Sequence, residues 1–222
     1  MTERTDLASR QAVIFDFDGT IADTKASIIS TATTVLRAWG IPEEDLTRVD
    51  QIIGPPFPQA FEEVFGLSHD DAVEVTRRYR DIYNYLGVES WPAFPGMADL
   101  LMHLHVAGKG LAIASSKRSY LVNKGLEDNN IIDLFDAVCA KLHDGGATKA
   151  DCIRKAMDDL GVGVDDALMV GDRFHDVEAA IECGIPCVGV LYGQTADWQE
   201  LEQAGAVAIA SSVAELESIL LG

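Results

Sequence analysis

Short apolar runs alternate with helix-like segments from about residue 97 to the end of the sequence, and this alternation limits the folds open to the chain. The runs are short and rich in β-branched residues, so each is predicted to be a strand. The predicted strands are Gly110–Ser115, Phe135–Ala140, Ala167–Gly171, Cys187–Leu191 and Ala206–Ala210. The helices predicted between them include Tyr120–Asp128, Thr148–Leu160 and Val177–Cys183. Such alternation is typical of a parallel sheet with helices on both faces, so the pattern predicts an α/β fold.

A different pattern separates the first predicted strand from this region. Residues 13–17, VIFDF, form an apolar run that predicts a buried strand. Between residues 22 and 91 the spacing of apolar residues is helical, and no run predicts a strand. We therefore expect a Rossmann-like core made of residues 1–21 and 92–222, with an inserted all-helical cap made of residues 22–91.

The negative charge of the chain excludes two classes of partner. Seventeen Lys and Arg residues stand against 36 Asp and Glu residues, a formal net charge of −19 at pH 7. Non-specific binding to nucleic acid or to an anionic membrane requires clustered positive charge, so neither partner is expected. No apolar stretch approaches the roughly 20 residues needed to cross a bilayer.

Composition also indicates the compartment. The polar first residues, MTERTDLASRQ, lack the apolar core of a secretory signal. Four cysteines in a chain of 222 residues do not suggest a disulfide framework. We expect reduced cysteines and a cytoplasmic location, and nothing in the sequence indicates an oligomeric state.

An acidic pair stands at the end of the first predicted strand. Asp16 and Asp18 are one residue apart, and carboxylates this close repel each other unless a cation lies between them. Two later strands also end in polar residues, Ser115 in one case and Asp172, with Asp176 just beyond, in the other. Ligands bind beyond the carboxyl ends of strands in open parallel sheets, so these side chains are expected to meet. Oxygen ligands without a His or Cys cluster favour a hard cation, and Mg²⁺ is the usual choice beside phosphate.

These residue types suit the transfer of a phosphoryl group. One carboxylate can attack phosphorus and form an aspartyl-phosphate, and a second acid can protonate the leaving oxygen and later activate a water. A metal ion and a lysine can neutralise the charge of the transferring group. Gly19 allows the tight turn that lets both acids face the same point.

Four motifs, in order and over nearly the whole chain, resemble those of the haloacid dehalogenase superfamily. They are DFDGT at Asp16–Thr20, Ser115 at the end of LAIAS, Lys149 in ATKADCI, and Gly171–Asp176 in MVGDRFHD. The resemblance implies a nucleophile at Asp16, an acid/base at Asp18, and a lysine, Lys149, that holds the phosphate and nucleophile charges. It also implies Mg²⁺ bound by Asp16, Asp18, Asp172 and Asp176. The residues expected to contact phosphate or substrate are Gly19, Thr20, Ser115, Ser116 and Lys117.

The stretches FPGMADLL, GVLYGQ and AGAVAIASSVAELESIL resemble the phosphoglycolate phosphatase-like and nucleotidase-like branches of this superfamily. They imply a Mg²⁺-dependent phosphatase for a small phosphorylated metabolite, such as phosphoglycolate or a nucleoside monophosphate. Two alternatives stay open: a sugar phosphomutase of the β-phosphoglucomutase type, and a non-catalytic protein that binds a phosphometabolite. A dehalogenase is disfavoured because the residue two positions after its nucleophile would not be an acid, whereas here that residue is Asp18. A phosphonatase would need a cap lysine, for which residues 22–91 offer Lys25 alone.

Overall fold

The computed structural model describes residues 7–143 and 146–222. In these residues, six strands form one sheet: β1 (Ala12–Phe15), β2 (Gly110–Arg118), β3 (Ala137–Lys141), β4 (Ala167–Gly171), β5 (Cys187–Val190) and β6 (Ala208–Ala210). Their order across the sheet is β3-β2-β1-β4-β5-β6, and every neighbouring pair is parallel. The predicted α/β fold with a parallel sheet is confirmed, and β1 lies between β2 and β4.

Helices account for the rest of the regular structure in the described residues. They are α1 (Lys25–Trp39), α2 (Gln59–Phe65), α3 (His69–Tyr83), α4 (Met97–Val106), α5 (Ser119–Asp128), α6 (Lys149–Leu160), α7 (Phe174–Glu182), α8 (Trp198–Ala204) and α9 (Val213–Leu221), with short 3-10 segments such as Asp45–Ile52. α1, α2 and α3 follow β1 in the chain, and α3 packs against both of the others. Among the described residues, no helix has the length and apolar character that crossing a membrane requires.

The central strand β1 is buried on both faces of the sheet, and all of its residues are 0% exposed. Val13 and Phe15 point to one face and pack in a core that includes Leu100 of α4. Ile14 points to the other face and packs in a second core with Ile153 of α6. This is the period of two expected for a strand, and burial on both faces explains why the run is continuously apolar.

The segment that contains α1, α2 and α3 leaves the sheet and returns to it at one place. Ala22 and Ala93 form an isolated antiparallel bridge. Beside it, the backbone N–H of Asp23 donates a hydrogen bond to the carbonyl of Pro92 at 2.8 Å. Both ends of the segment therefore lie together, next to the carboxyl end of β1.

Two element bounds near the carboxyl edge differ by three residues from the predicted ones. α7 begins at Phe174 rather than Val177, because the Asp176 carboxylate accepts a hydrogen bond from the backbone N–H of Arg173 at 3.1 Å and closes the first turn. β2 continues past Ser115 to Arg118, and its pairing with β3 is irregular between these two residues. Both differences occur where polar side chains bond to the backbone.

Candidate active site

Three neighbouring strands bring the polar motif residues to one edge of the sheet. Asp16 follows β1, Ser115 lies in β2, and Asp172 follows β4. β1 pairs with β2 on one side and with β4 on the other, and the N–H of Asp16 donates to the carbonyl of Val170 at 2.9 Å. The parallel register thus places residues from distant parts of the sequence side by side.

A cluster of buried acids forms at this edge. Asp16, Asp172 and Asp176 each offer a carboxylate oxygen, and these oxygens all lie within 4.8 Å of one another. The residues are 9%, 1% and 2% exposed, respectively. The Lys149 ammonium lies 2.7 Å from Oδ1 of Asp16 and 2.7 Å from Oδ1 of Asp176. Lys149 therefore balances part of the negative charge of the cluster.

Two helix starts hold Lys149 and Asp176 in place. The Thr148 hydroxyl accepts a hydrogen bond from the Asp151 N–H at 3.1 Å, and the Asp151 carboxylate accepts one from the Thr148 N–H at 2.9 Å. This capping box makes Lys149 the first residue of α6. Asp176 lies in the first turn of α7, where its carboxylate accepts a hydrogen bond from the Asp172 N–H at 3.1 Å. A carboxylate is favoured there by the partial positive charge of the helix N-terminus.

The electrostatics of the cluster show an excess of negative charge. Burial raises the pKa of Asp16 from 3.8 to about 6, although the Lys149 ammonium opposes this rise. Burial also raises the pKa of Asp172 well above its usual range, and the Asp176 and Asp16 carboxylates add to the effect. Burial alone would lower the pKa of Lys149, but Asp16 and Asp176 raise it, so its ammonium stays charged. A further cation would relieve the remaining repulsion.

The donor set fits a hard divalent cation. The three carboxylates supply oxygen ligands alone, and they are buried. The Asp172 carboxylate is oriented from two sides, because the Thr20 hydroxyl donates to its Oδ1 at 3.3 Å and the Thr195 hydroxyl donates to its Oδ2. Hydrogen bonds that fix a ligating carboxylate in this way are typical of metal sites.

Two of these contacts differ from the sequence expectation. Thr20 was expected at the phosphate, whereas the structure buries it fully and directs its hydroxyl to Asp172. Thr195 was not predicted, because it lies in the loop between β5 and α8, outside the four motifs. The stretch GVLYGQ directly before it is the signal that could have led to it.

Gly19 lets the turn after β1 approach the acidic cluster. Its φ of 73° lies in the left-handed region that favours glycine. A Cβ at this position would lie 2.1 Å from Oδ2 of Asp172, which is closer than any real contact. Because Gly19 has no side chain, the DFDGT motif can pack closely against the motif that contains Asp172.

Asp18 lies apart from the three clustered acids and is paired with Lys117. The Lys117 ammonium donates to Oδ1 of Asp18 at 2.8 Å and to the Tyr83 hydroxyl at 3.3 Å. The sequence expectation gave Asp18 two roles, as acid/base and as metal ligand, and gave Lys117 to the substrate. The structure pairs these two side chains with each other, and both line the cavity that opens onto the cluster.

A cavity opens onto the acidic cluster and encloses about 940 Å³ of empty space, part of it open to solvent. Asp16, Ser115, Ser116 and Lys149 line it from the sheet edge. The side chains that line it from the helical segment are Arg80 and a largely apolar set: Ile28, Ile52, Ile53, Pro55, Pro56, Phe57, Tyr79 and Tyr83. The cavity therefore joins the acidic cluster to the side chains of this segment.

A family model supplies the context for this geometry. The model described as haloacid dehalogenase-like hydrolase matches residues 13–190. The chain belongs to this family. The match begins in β1 and ends with β5, so all four motifs of the haloacid dehalogenase-like hydrolase lie within it.

Individual relatives of this haloacid dehalogenase-like hydrolase include proteins named as a nucleotidase, a kinase and a phosphatase. A 5'-nucleotidase from Pseudomonas aeruginosa is 33% identical over 82% of this chain and 82% of its own length. The tyrosine-protein kinase PtkA from Mycobacterium tuberculosis is 32% identical over 96% of this chain and 73% of its own length. A crystal structure described as a predicted phosphatase from Clostridium acetobutylicum has a TM-score of 0.89 and 34% identity, and the match covers 96% of this chain and 98% of that one. The expected superfamily and fold are confirmed, and the nucleotidase and phosphatase relatives bear out the expectation of a phosphoric monoester hydrolase.

Proposed function

We propose that this haloacid dehalogenase-like hydrolase is a Mg²⁺-dependent phosphatase that hydrolyses a small phosphorylated metabolite through an aspartyl-phosphate. The observation that carries the proposal is the position of Asp16. Its buried carboxylate lines the cavity, lies 2.7 Å from the Lys149 ammonium, and shares a cluster with two further acids. A carboxylate placed in this way can act as a nucleophile toward phosphorus.

The proposed reaction has two steps. In the first, a carboxylate oxygen of Asp16 attacks phosphorus, the bond from phosphorus to the leaving oxygen breaks, and that oxygen takes a proton from Asp18. In the second, a water attacks the phosphorus of the aspartyl-phosphate and gives its proton to the Asp18 carboxylate. The bond between Asp16 and phosphorus then breaks, which releases inorganic phosphate and restores both acids. Lys149 stays beside Asp16 and stabilises negative charge on the phosphoryl oxygens.

The proposed Mg²⁺ ligands are Asp16, Asp172 and Asp176, whose carboxylates form the buried cluster. Bound Mg²⁺ would withdraw charge from the phosphoryl oxygens. The Asp18 carboxylate is held by Lys117 and is left for proton transfer. We therefore assign Asp18 to proton transfer alone, in contrast to the sequence expectation.

We further propose that residues 22–91 act as the cap that selects the substrate. Phe57, Tyr79 and Tyr83 of this segment line the cavity opposite the acids, where the leaving group would lie. A nucleoside monophosphate or a phosphoglycolate-like metabolite is the proposed substrate class, and the relative named 5'-nucleotidase supports the first of these. A cytoplasmic location is supported by the four cysteines, which are all free.

Phosphate release from a panel of phosphorylated metabolites and from an aryl phosphate tests the proposal. Asp16→Asn should lower phosphate release by roughly 10³-fold or more, because the nucleophile is lost. EDTA should abolish release by the unmodified enzyme, and added Mg²⁺ should restore it. Asp23→Asn is the matched control, since Asp23 is exposed and close in sequence, and it should retain activity.

Three results would contradict the proposal. Full phosphate release by Asp16→Asn would rule out the covalent step. Interconversion of hexose phosphates without net phosphate release would indicate the phosphomutase alternative. Tight binding of a phosphometabolite without turnover, with and without Mg²⁺, would indicate the non-catalytic alternative.

A further inference from the structure

The Lys117 ammonium is enclosed by groups from two separate parts of the fold. From the turn after β1, the Asp18 carboxylate accepts its hydrogen bond at 2.8 Å, and the ring centroid of Phe17 lies 5.8 Å away. From α3, the Tyr83 hydroxyl accepts a hydrogen bond at 3.3 Å, and the Tyr83 ring centroid lies 4.8 Å away. The Lys117 side chain is 9% exposed. Lys117 therefore joins α3 to Asp18.

Tyr83 is itself held firmly by its surroundings. It is 0% exposed, its ring stacks on Tyr79 with centroids 5.0 Å apart, and the Trp91 ring lies 5.5 Å away. Its hydroxyl also lies 3.4 Å from Oγ of Ser27 in α1. A tyrosine packed on several sides has little rotamer freedom, so its hydroxyl marks a fixed point relative to α1 and α3.

The contact between Lys117 and Asp18 uses one carboxylate oxygen. Lys117 donates to Oδ1 of Asp18, and the Asp18 carboxyl group lines the cavity. When one oxygen of a carboxyl group is held by a hydrogen bond, its second oxygen points in a defined direction. Proton transfer to a leaving oxygen requires such a fixed direction. Loss of the second anchor of Lys117 would let both side chains turn.

We propose that Tyr83 is a positioning residue for proton transfer: through Lys117 it holds the Asp18 carboxyl group in the orientation that protonates the leaving oxygen. The inference rests on the proposed function, in which Asp18 is the acid/base. It assigns to the helical segment a part in the chemistry as well as in substrate selection. Asp18 is correctly oriented when α3 lies against the sheet edge as it does here.

The leaving group distinguishes this role from a structural one. An alkyl phosphate releases a poor alkoxide leaving group, so breaking its bond to phosphorus depends on a proton from Asp18. An aryl phosphate such as p-nitrophenyl phosphate releases a stable anion and depends on that proton far less. A disoriented Asp18 therefore lowers kcat/KM for the alkyl phosphate selectively. A general disturbance of the structure would instead lower kcat/KM for the alkyl and the aryl phosphate together.

Tyr83→Phe removes the hydroxyl and keeps the ring. We expect kcat/KM for glycerol 2-phosphate to fall by about tenfold or more, and that for p-nitrophenyl phosphate by less than about threefold. Tyr120→Phe is the matched control, because the Tyr120 hydroxyl in α5 donates to Asn84 at the end of α3 at 2.7 Å. This bond joins the end of α3 to α5 without contacting Lys117, and its removal should leave the ratio of the two kcat/KM values unchanged.

A double-mutant cycle tests the route through Lys117. If Tyr83 acts through this residue, Tyr83→Phe should cause no further change in the alkyl-to-aryl ratio when it is added to Lys117→Met. An equal loss for both substrates in Tyr83→Phe would overturn the inference, and so would an effect on the ratio that persists in the Lys117→Met background.

Asp18→Asn separates the two proposals: wild-type hydrolysis of the alkyl phosphate by this variant would refute the proposed function itself. Selective loss in Asp18→Asn with an even loss in Tyr83→Phe would refute the inference alone.

Discussion

Thr195 illustrates how a single hydroxyl can matter at this site. Its donor bond to Oδ2 and that of Thr20 to Oδ1 fix the plane of the Asp172 carboxylate. Asp172 is 1% exposed, so without these bonds its carboxylate would have fewer polar partners in a buried position. Thr195 therefore orients the carboxylate of Asp172, the proposed Mg²⁺ ligand.

Replacing Thr195 tests this assignment. Thr195→Val keeps the shape and removes the hydroxyl, so the Mg²⁺ concentration for half-maximal activity should rise about tenfold. Thr34→Val is the control, because the Thr34 hydroxyl donates to the Ser30 carbonyl at 2.8 Å in an exposed bond of α1. Magnesium titrations of the activity of both variants check the prediction, and an unchanged Mg²⁺ requirement in Thr195→Val would refute it.

The identities of the site residues were easier to predict than their partners. Asp16, Ser115 and Asp172 could be found because each stands at the end of a strand that the apolar pattern reveals. Lys117 was expected at the substrate and does line the cavity, but no spacing rule connects it to Tyr83, which lies in α3. Asp18 was expected to serve both as acid/base and as metal ligand, because its distance from Asp16 in sequence does not show which way its carboxylate points.

Among the elements, the turn between β1 and Ala22 sets the geometry of the site. The N–H of Gly19 donates to the carbonyl of Ala22 at 2.9 Å, and this closes the turn just after Asp18. A Cβ on Gly19 would lie 2.1 Å from Oδ2 of Asp172, so the turn can approach the loop after β4 this closely only with glycine at this position.

Gly19→Ala should therefore disable the site. Two effects add: the left-handed φ of 73° is unfavourable for alanine, and the new methyl group would displace Asp172. Gly40→Ala isolates the first effect, since Gly40 has a φ of 101° and its added Cβ would meet nothing within 4 Å. We expect Gly40→Ala to lose about 1 kcal/mol of stability and keep its kcat, and Gly19→Ala to lose most of its kcat. Equal kcat values in the two variants would contradict the prediction.

Most elements were predictable because their patterns are local. Strand β1 was recognised from a continuous apolar run, and α6 from the spacing after Thr148. The start of α7 was predicted too late, because the bond from the Asp176 carboxylate to the Arg173 N–H adds a turn that apolar spacing does not reveal. The extension of β2 to Arg118 was missed because its last residues are polar and their burial depends on α3 and the turn after β1.

For the molecule as a whole, the acidic cluster links stability to pH. The folded-state pKa of Asp16 is about 6, above the ordinary value of 3.8. Between pH 3.8 and about 6, the Asp16 carboxyl group holds a proton in the folded protein that it has released in the unfolded chain. The contribution of this proton to the free energy of unfolding is therefore complete below pH 3.8 and is lost as pH rises through about 6. A divalent cation bound at the cluster would take over the role of the proton.

We therefore expect Mg²⁺ to raise the Tm, and to raise it more at a pH above about 6 than at a pH nearer 3.8. Thermal denaturation with Mg²⁺ or EDTA at several pH values measures this difference. Asp16→Asn removes one charge of the cluster, so the Tm of this variant without metal should fall less as pH rises. A Mg²⁺-dependent increase in Tm that is the same at every pH would refute the linkage.

The bridge between Ala22 and Ala93 has a consequence for how such a protein can diversify. It holds the two ends of the helical segment together beside β1. The segment therefore leaves the sheet and returns to it at one place, whatever the length of the segment. The entropic cost of closing a loop grows only logarithmically with its length. A helical unit of a different size could thus be exchanged during evolution at small cost, while the pairing of β1 with β2 and β4 keeps its register.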